Sequence, residues 1–188
     1  MFKREDQFYI KKVLAGDSSA FAVLVDRHKN DIFNICIKIL RNKEEAEEVA
    51  QDVFLKVFEK LNTFKEEAKF STWLYRIAYN TSISQQRKSK TKQLDNDAYF
   101  IEMYSEDELI NQLNLETIVE RERKLKFAIA KLDSEQQLLL QLYYDKGIPV
   151  IDVAKITKLS ESNVKVKIHR ARQKLFQLMQ PTTQRKTA

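Results

Sequence analysis

Two glycines and two prolines are all that this chain of 188 residues offers for tight turns. Both residue types punctuate hairpins, so their scarcity excludes sandwiches and barrels of short strands and leaves long helices. A single cysteine, Cys36, excludes an internal disulfide. Its place in the apolar run Ile35-Cys36-Ile37 marks it as a small buried hydrophobe in a reducing compartment. No apolar run approaches the roughly 18 residues that a membrane span needs, and the opening MFKREDQFYI is too charged for a secretory leader. Two histidines, no glycine-rich phosphate loop and no metal-ligand spacing argue against an enzyme, a metal site or a cofactor. The expectation is a cytoplasmic, all-α protein without membrane insertion.

Charge is what the chain has in quantity, and its distribution says more than the net +6. Residues 1–90 carry 17 basic and 13 acidic side chains; residues 91–117 carry one base, Lys92, against seven acids; residues 118–188 carry 15 bases and 7 acids. Two basic blocks thus flank an acidic bridge, and basic blocks attract polyanions because each neutralised phosphate releases counterions. Solvated helix faces would give a similar count, so charge alone leaves both readings open.

Hydrophobic periodicity divides the chain in the same places. After Gly16-Asp17-Ser18, a turn with Asp17 or Ser18 as cap, Phe21, Leu24, Val25, His28, Ile32, Ile35 and Ile39 recur at helical spacing. Asn42 caps the next helix, Glu44 and Glu45 occupy its first turn where the dipole favours acids, and Ala46, Val49, Val53, Val57 and Leu61 form its stripe. A third helix runs from near Ser71 to about Lys88. Residues 91–115 lack a period, apart from a short helical piece around 106–114, and read as a linker. Helices resume near Glu116, with Ile118, Leu125, Ala128, Ile129 and Leu132 on one face; Ser134 and Gln137 have capping-box spacing. Leu138, Leu139 and Leu142 are the core of that helix, which ends at Lys146-Gly147-Ile148-Pro149, with glycine at the left-handed cap. The fold class expected is all-α, two small helical domains (1–90 and 116–180) joined by an acidic linker (91–115), the C-terminal one containing a helix-turn-helix.

That helix-turn-helix spans 149–174. A first helix from Val150 to Thr157 leads through Lys158-Leu159-Ser160, with Ser160 capping the second helix. On a wheel of about 100° per residue, Val164, Ile168, Ala171 and Leu175 face inward. Ser162, Asn163, Val166, His169, Arg170 and Gln173 face outward, flanked by Lys165, Lys167, Arg172 and Lys174. Outward polar residues in the first turns meet base edges in a major groove, and flanking cations hold phosphates. A basic helix packed in a bundle remains the other reading of this segment.

These residues resemble a known family. Ile151-Asp152-Val153-Ala154 followed by Val164 to Leu175, ending in HRARQKL, is similar to the promoter-binding domain of bacterial sigma factors in the extracytoplasmic-function (ECF) group of the sigma-70 family. Upstream, Glu45 to Phe58 resembles the family's polymerase-binding helix, and Phe70 to Asn80 the helix that opens promoter DNA. Two domains in the family's order, with a linker between them, cover nearly the whole chain from about residue 18 to 178. The resemblance implies a region 2-like domain in 1–90 for polymerase binding, promoter melting and minus-ten recognition. It implies a region 4-like domain in 116–180 for minus-thirty-five recognition. It departs from the common pattern at Lys158, where glycine is usual, and at Asn163 and Val166-Lys167 on the base-facing side, which leaves the promoter sequence open.

The site residues expected on this basis fall in three groups. Glu47, Glu48, Gln51, Asp52, Phe54, Leu55 and Phe58 would dock polymerase, since apolar anchors ringed by charge make interfaces. Phe64, Lys65, Lys69, Tyr75, Arg76, Tyr79, Asn80, Arg87 and Lys88 would hold single-stranded minus-ten DNA, cations tracking phosphates and rings stacking on bases. By resemblance the loop 62–69 supplies the pocket for a flipped base. Among the aromatics, Tyr75 and Tyr79 are expected to be exposed and Trp73, Leu74 and Ile77 to belong to the core. Ser162, Asn163, Lys165, Val166, Lys167, His169, Arg170 and Lys174 would meet duplex DNA. The implied partners are core RNA polymerase, through its largest-subunit clamp helices and its flap, promoter DNA, and an anti-sigma factor; no catalytic residue, metal or cofactor is implied. Acids of the linker, Asp95, Asp97, Glu102, Glu106, Asp107 and Glu108, would suit basic channel walls, or serve only to keep a tether soluble. From the residues without the resemblance, a helix-turn-helix regulator with an N-terminal ligand-binding or dimerising domain stands as the alternative.

Overall fold

The computed structural model describes residues 2–89 and 118–179, so the linker 91–115 and its short helical piece lie outside the described residues. Helix α1 (Phe2–Leu14) is followed by a 3-10 turn over Ser18–Ala20 and by α2 (Phe21–Leu40), α3 (Lys43–Lys60) and α4 (Phe70–Ser89). The second half holds α5 (Ile118–Ala130), α6 (Ser134–Leu140), α7 (Val150–Thr157) and α8 (Glu161–Met179). Helix α1 was not expected from the sequence; its one fully buried apolar residue, Ile10, is too sparse a stripe to announce a helix.

In the first half α2, α3 and α4 pack mutually, and α1 lies across α2 and α4. Ile32, Ile35 and Cys36 of α2 meet Val49, Val53 and Val57 of α3 and Leu74 and Ala78 of α4, all nearly inaccessible. Each such aliphatic side chain stabilises the fold by about 1.5–3 kcal/mol relative to exposure. Burial pushes the Cys36 thiol up to about 11, so it stays protonated and inert. Asn42 starts α3 as the sequence requires, its side-chain oxygen accepting the Glu45 N–H at 2.8 Å.

The second half is built around α8, which packs on α5, α6 and α7. Ala128, Leu132, Leu138, Leu139 and Leu142 close against Val153, Ile156, Val164, Ile168 and Ala171. Leu125, expected on the buried face of α5, is 37% exposed, and the side chain of Ile118 lies outside the described residues. The capping box sits one residue earlier than the sequence reading placed it: Asp133 accepts from Gln136 N–H at 2.8 Å and the Gln136 side chain accepts from Asp133 N–H at 3.4 Å. Asp outcompetes Ser here because its charge also favours the helix dipole. Gln137 is instead buried, its amide donating to the Leu132 carbonyl at 2.9 Å. Helix α6 widens into a π turn over Gln141–Asp145, closed by Lys146 N–H to Gln141 C=O at 3.1 Å, and Gly147 then takes the left-handed conformation at φ 60.

The two halves pack on one another, α7 against α4 and α6 against α2, and the buried side chains form one continuous cluster. Arg41 Nε donates to Ser134 Oγ at 2.7 Å and Lys146 Nζ to Asp31 Oδ1 at 2.6 Å across this boundary.

Lys158, between α7 and α8, stands at φ 60, a left-handed position that costs a non-glycine residue about 1–2 kcal/mol, partly offset by its smaller loss of chain entropy. Lys158→Gly should therefore raise stability by about 0.5–1 kcal/mol in urea unfolding; no gain would show that the turn is relaxed with lysine.

Candidate nucleic-acid interface

Helix α3 turns its valines inward, and helical spacing leaves an outer face of Glu47, Glu48, Gln51, Asp52, Leu55 and Phe58, all exposed. Leu55 and Phe58 keep 63% and 45% of their surface in water. Two details differ from the sequence reading of this face. Phe54 is half-buried against the core, and the Phe58 ring leans edge-on to Phe21 at 5.0 Å, so Phe58 is partly a packing residue.

The loop 64–69 and the start of α4 form a cleft of about 410 Å³, with Phe64, Lys65, Glu67, Trp73 and Arg76 on its walls. The Phe64 ring stands 5.4 Å from Trp73 and 5.6 Å from Phe70, so the cleft has an aromatic floor. Trp73, expected in the core, is partly buried against it, and its remaining surface lines the cleft. Tyr75, expected to be exposed, is a correction. It is 4% exposed, and its hydroxyl donates to Asp31 Oδ2 at 2.6 Å. Burial and the Asp31 carboxylate push its phenol well above the usual range, so it remains a donor and is not available to a strand. Tyr79, one turn on, is half-buried, its phenol raised by burial and by Glu135. Asn80 donates to the Arg76 carbonyl at 2.6 Å, which turns its amide back onto its own helix. Lys65, Lys69, Arg76, Arg87 and Lys88 are exposed.

A second cleft of about 590 Å³ opens on the other side of Phe64, between α1, α2 and the same loop. Its wall includes a cluster that the sequence did not reveal: Asp6, 6% exposed, accepts from Arg27 at 3.2 Å and meets His28 Nε2 at 3.0 Å. His28, read as part of the apolar stripe of α2, finds this partner 22 residues away on α1. Burial raises the Asp6 carboxyl, but hydrogen bonds and charge from His28 and Arg27 outweigh it and hold the group below its ordinary value.

On α8, Val164, Ile168 and Ala171 are buried, as the helical wheel requires, while Ser162, Asn163, Lys165, Val166, His169 and Arg170 are exposed. Ser160 Oγ accepts the Asn163 N–H at 3.2 Å, so the cap stands where the spacing put it. Lys167 is half-buried and paired with Glu135 at 2.5 Å, and Lys174 is half-buried. Among the described residues no cluster of His, Cys, Asp or Glu could hold a metal ion.

Comparison with known proteins separates the readings. The family model for Sigma-70 region 2 matches residues 24–92, and that for Sigma-70, region 4 matches residues 122–175. The ECF RNA polymerase sigma factor SigW of Bacillus subtilis is 35% identical over 88% of this chain and 92% of its own. The chain belongs to the ECF group of the sigma-70 family. The ECF RNA polymerase sigma-E factor of Escherichia coli K12 is 28% identical, over 96% of this chain and 97% of its own. In fold, the sigma factor is similar to the chain solved as CnrH in complex with the cytosolic domain of CnrY, with a TM-score of 0.63 at 22% identity, covering 93% of this chain and 96% of that one. The region 2 match thus falls on α2–α4, which carry the aromatic cleft, and the region 4 match on α5–α8, which include the helix-turn-helix. The conventional regulator left open above does not account for a region 2 match over 24–92.

The Asp6 cluster ties α1 to α2 in the sigma factor, and its pH dependence has a definite sign. A carboxylate depressed in the folded state stabilises above its unfolded pKa, and the stabilisation is lost as pH falls through the folded value. Asp6→Asn should cost about 1–3 kcal/mol near neutral pH. In urea unfolding the deficit against the parent should shrink on acidification to about pH 3; a deficit independent of pH would mean the ion pair is not its source.

Proposed function

We propose that the sigma factor divides its task among three surfaces. A sigma factor binds core RNA polymerase and directs it to promoters, and it is not an enzyme. The outer face of α3, centred on Asp52, Leu55 and Phe58 with Glu47, Glu48 and Gln51 around them, is the docking surface for the clamp helices of the largest subunit. Apolar anchors inside a ring of acids match a basic partner that offers an apolar groove. Phe54 contributes by positioning α3 rather than by contact.

The observation that carries the strand-binding reading is the aromatic cleft. Its volume of about 410 Å³, its Phe64 and Trp73 walls and the cations Lys65 and Arg76 at its margin fit one unstacked base with its phosphate. Lys69, Arg87 and Lys88 extend the cationic track along the loop and α4. The α8 face of Ser162, Asn163, Val166, His169 and Arg170 reads duplex edges, with Lys165 beside it on phosphate. Lys167 and Lys174 join the phosphate contacts, Lys167 on release from Glu135. The region 4 body also meets the polymerase flap. An anti-sigma partner is supported by the solved complexes of similar chains, CnrH with CnrY and the sigma factor RpoE with the anti-sigma factor NepR from Bartonella quintana.

The test is reconstitution with core polymerase. Leu55→Ala with Asp52→Ala should weaken holoenzyme formation at least about 30-fold, equivalent to about 2 kcal/mol lost from an interface hot spot; unchanged affinity would remove α3 from the interface. Trp73→Ala with Arg76→Ala should leave holoenzyme formation intact and abolish run-off transcription from linear promoter fragments. Transcription at the parental rate would remove the cleft from promoter opening.

A further inference from the structure

We propose that α1 is the positioning element of the strand-capturing loop: its neighbouring residues Asp6 and Gln7 hold the loop 64–69 at two points and keep Phe64 standing as the wall between the two clefts. The proposal rests on the reading of the aromatic cleft above and concerns what holds that cleft in shape. Phe64 lines both clefts, one on each side of its ring, so there is open space on either hand. A ring in that place keeps its position only if the backbone that carries it is fixed. The loop supplies little of this by itself, since Lys65, Glu66, Glu67 and Lys69 are exposed. Glu66 also stands at φ 58, in the left-handed region that a residue with a Cβ adopts at a cost. Such a conformation persists where the surroundings hold it.

Helix α1 holds it from outside. The Gln7 amide donates to Glu66 Oε2 at 3.1 Å, which fastens the strained residue to a helix 59 residues away in sequence. Asp6 acts on the far end of the loop from beneath. It meets His28 Nε2 at 3.0 Å, and the His28 ring stands edge-on to Phe70 at 5.6 Å. Phe70 in turn meets Phe64 at 5.6 Å and Trp73 at 5.9 Å. The support is firm: Glu5 and Asp6 both pair with Arg27 of α2, at 3.0 and 3.2 Å, Arg27 lies over the Tyr9 ring at 4.9 Å, and Ile10 is buried. Neither Gln7 nor Glu66 lies on the outer face of α3 or on α8, so their bond can be altered without touching the other two surfaces.

A double-mutant cycle in reconstituted holoenzyme tests this. Gln7→Glu sets two carboxylates against each other and should lower run-off transcription from linear promoter fragments roughly fivefold, with core-polymerase binding unchanged. Gln7→Glu with Glu66→Gln exchanges donor and acceptor. It should transcribe within about twofold of Glu66→Gln alone, the variant that accounts for the lost charge. Parental transcription by Gln7→Glu, or an equal loss in both backgrounds, overturns the proposal. Trp73, the only tryptophan of the chain, gives a second readout in the free protein. Acrylamide quenching of its emission should rise in Gln7→Glu, as Phe64 leaves it, and return to the parental level in the exchanged pair; quenching unchanged by Gln7→Glu overturns the proposal as well. Trp73→Ala with Arg76→Ala tells the two failures apart. If that variant transcribes at the parental rate, the cleft plays no part in opening and the proposal falls with it. If it is silent while Gln7→Glu transcribes normally, the cleft stands and the role of α1 is overturned.

Discussion

The constraint on which the structure depends is the double commitment of α4. Phe70, Leu74 and Ala78 must be buried against α2, whose Ile32, Ile35 and Ile39 are themselves shared with α3. That requirement sets which way Trp73 and Arg76 point, and hence where the cleft lies. It also leaves a second flank of the helix, which α7 covers. The cleft is therefore placed by packing, not by the loop alone. A volume change at Leu74 would be felt at Trp73 through the helix backbone, because interiors are close-packed and transmit strain.

Electrostatics is arranged around this frame in two styles. On α3 the acids are solvated and ring two apolar side chains, a distribution that suits the docking proposed above and costs the fold nothing in desolvation. Around α2, Asp6 is buried and Asp31 half-buried, and both are spoken for. Asp6 is held by Arg27 and His28, and Asp31 by Tyr75 and Lys146. The first style serves association and the second fastens separate elements together. The net positive charge of the chain describes neither.

Much of this was legible in the sequence, and the part that was not follows a pattern. Helix α3 with its Asn42 cap, and α7 and α8 with the Ser160 cap between them, stood where local signals put them, because caps and apolar spacing act within a few residues. What escaped was non-local. The partner of His28 is on α1, that of Tyr75 on α2, and that of Ser134 at the end of α2. Helical spacing tells that one face is buried but not which neighbour covers it, so Tyr75 was read as exposed. Gln137 and Ser134 have the spacing of a capping box, but Asp133 and Gln136 compete for the same role with a charge in hand. Among its described side chains, helix α1 is held by buried Ile10, by partly buried Tyr9 and Val13 and by the Asp6 ion cluster, a stripe too short for a clear period.

Asp31 deserves a last look as a shared acceptor, since its two carboxylate oxygens serve two different bodies. Oδ2 takes the Tyr75 hydroxyl from within the first half, and Oδ1 takes the Lys146 ammonium from the second. Two bonds on one carboxylate are not independent: withdrawing either cation or hydroxyl changes the charge that the other meets. By linkage, whatever factor Lys146 contributes to the hold on Tyr75, Tyr75 must return to the hold on Lys146. The interior order of region 2 and the contact of the second half with it are in this way coupled through one side chain.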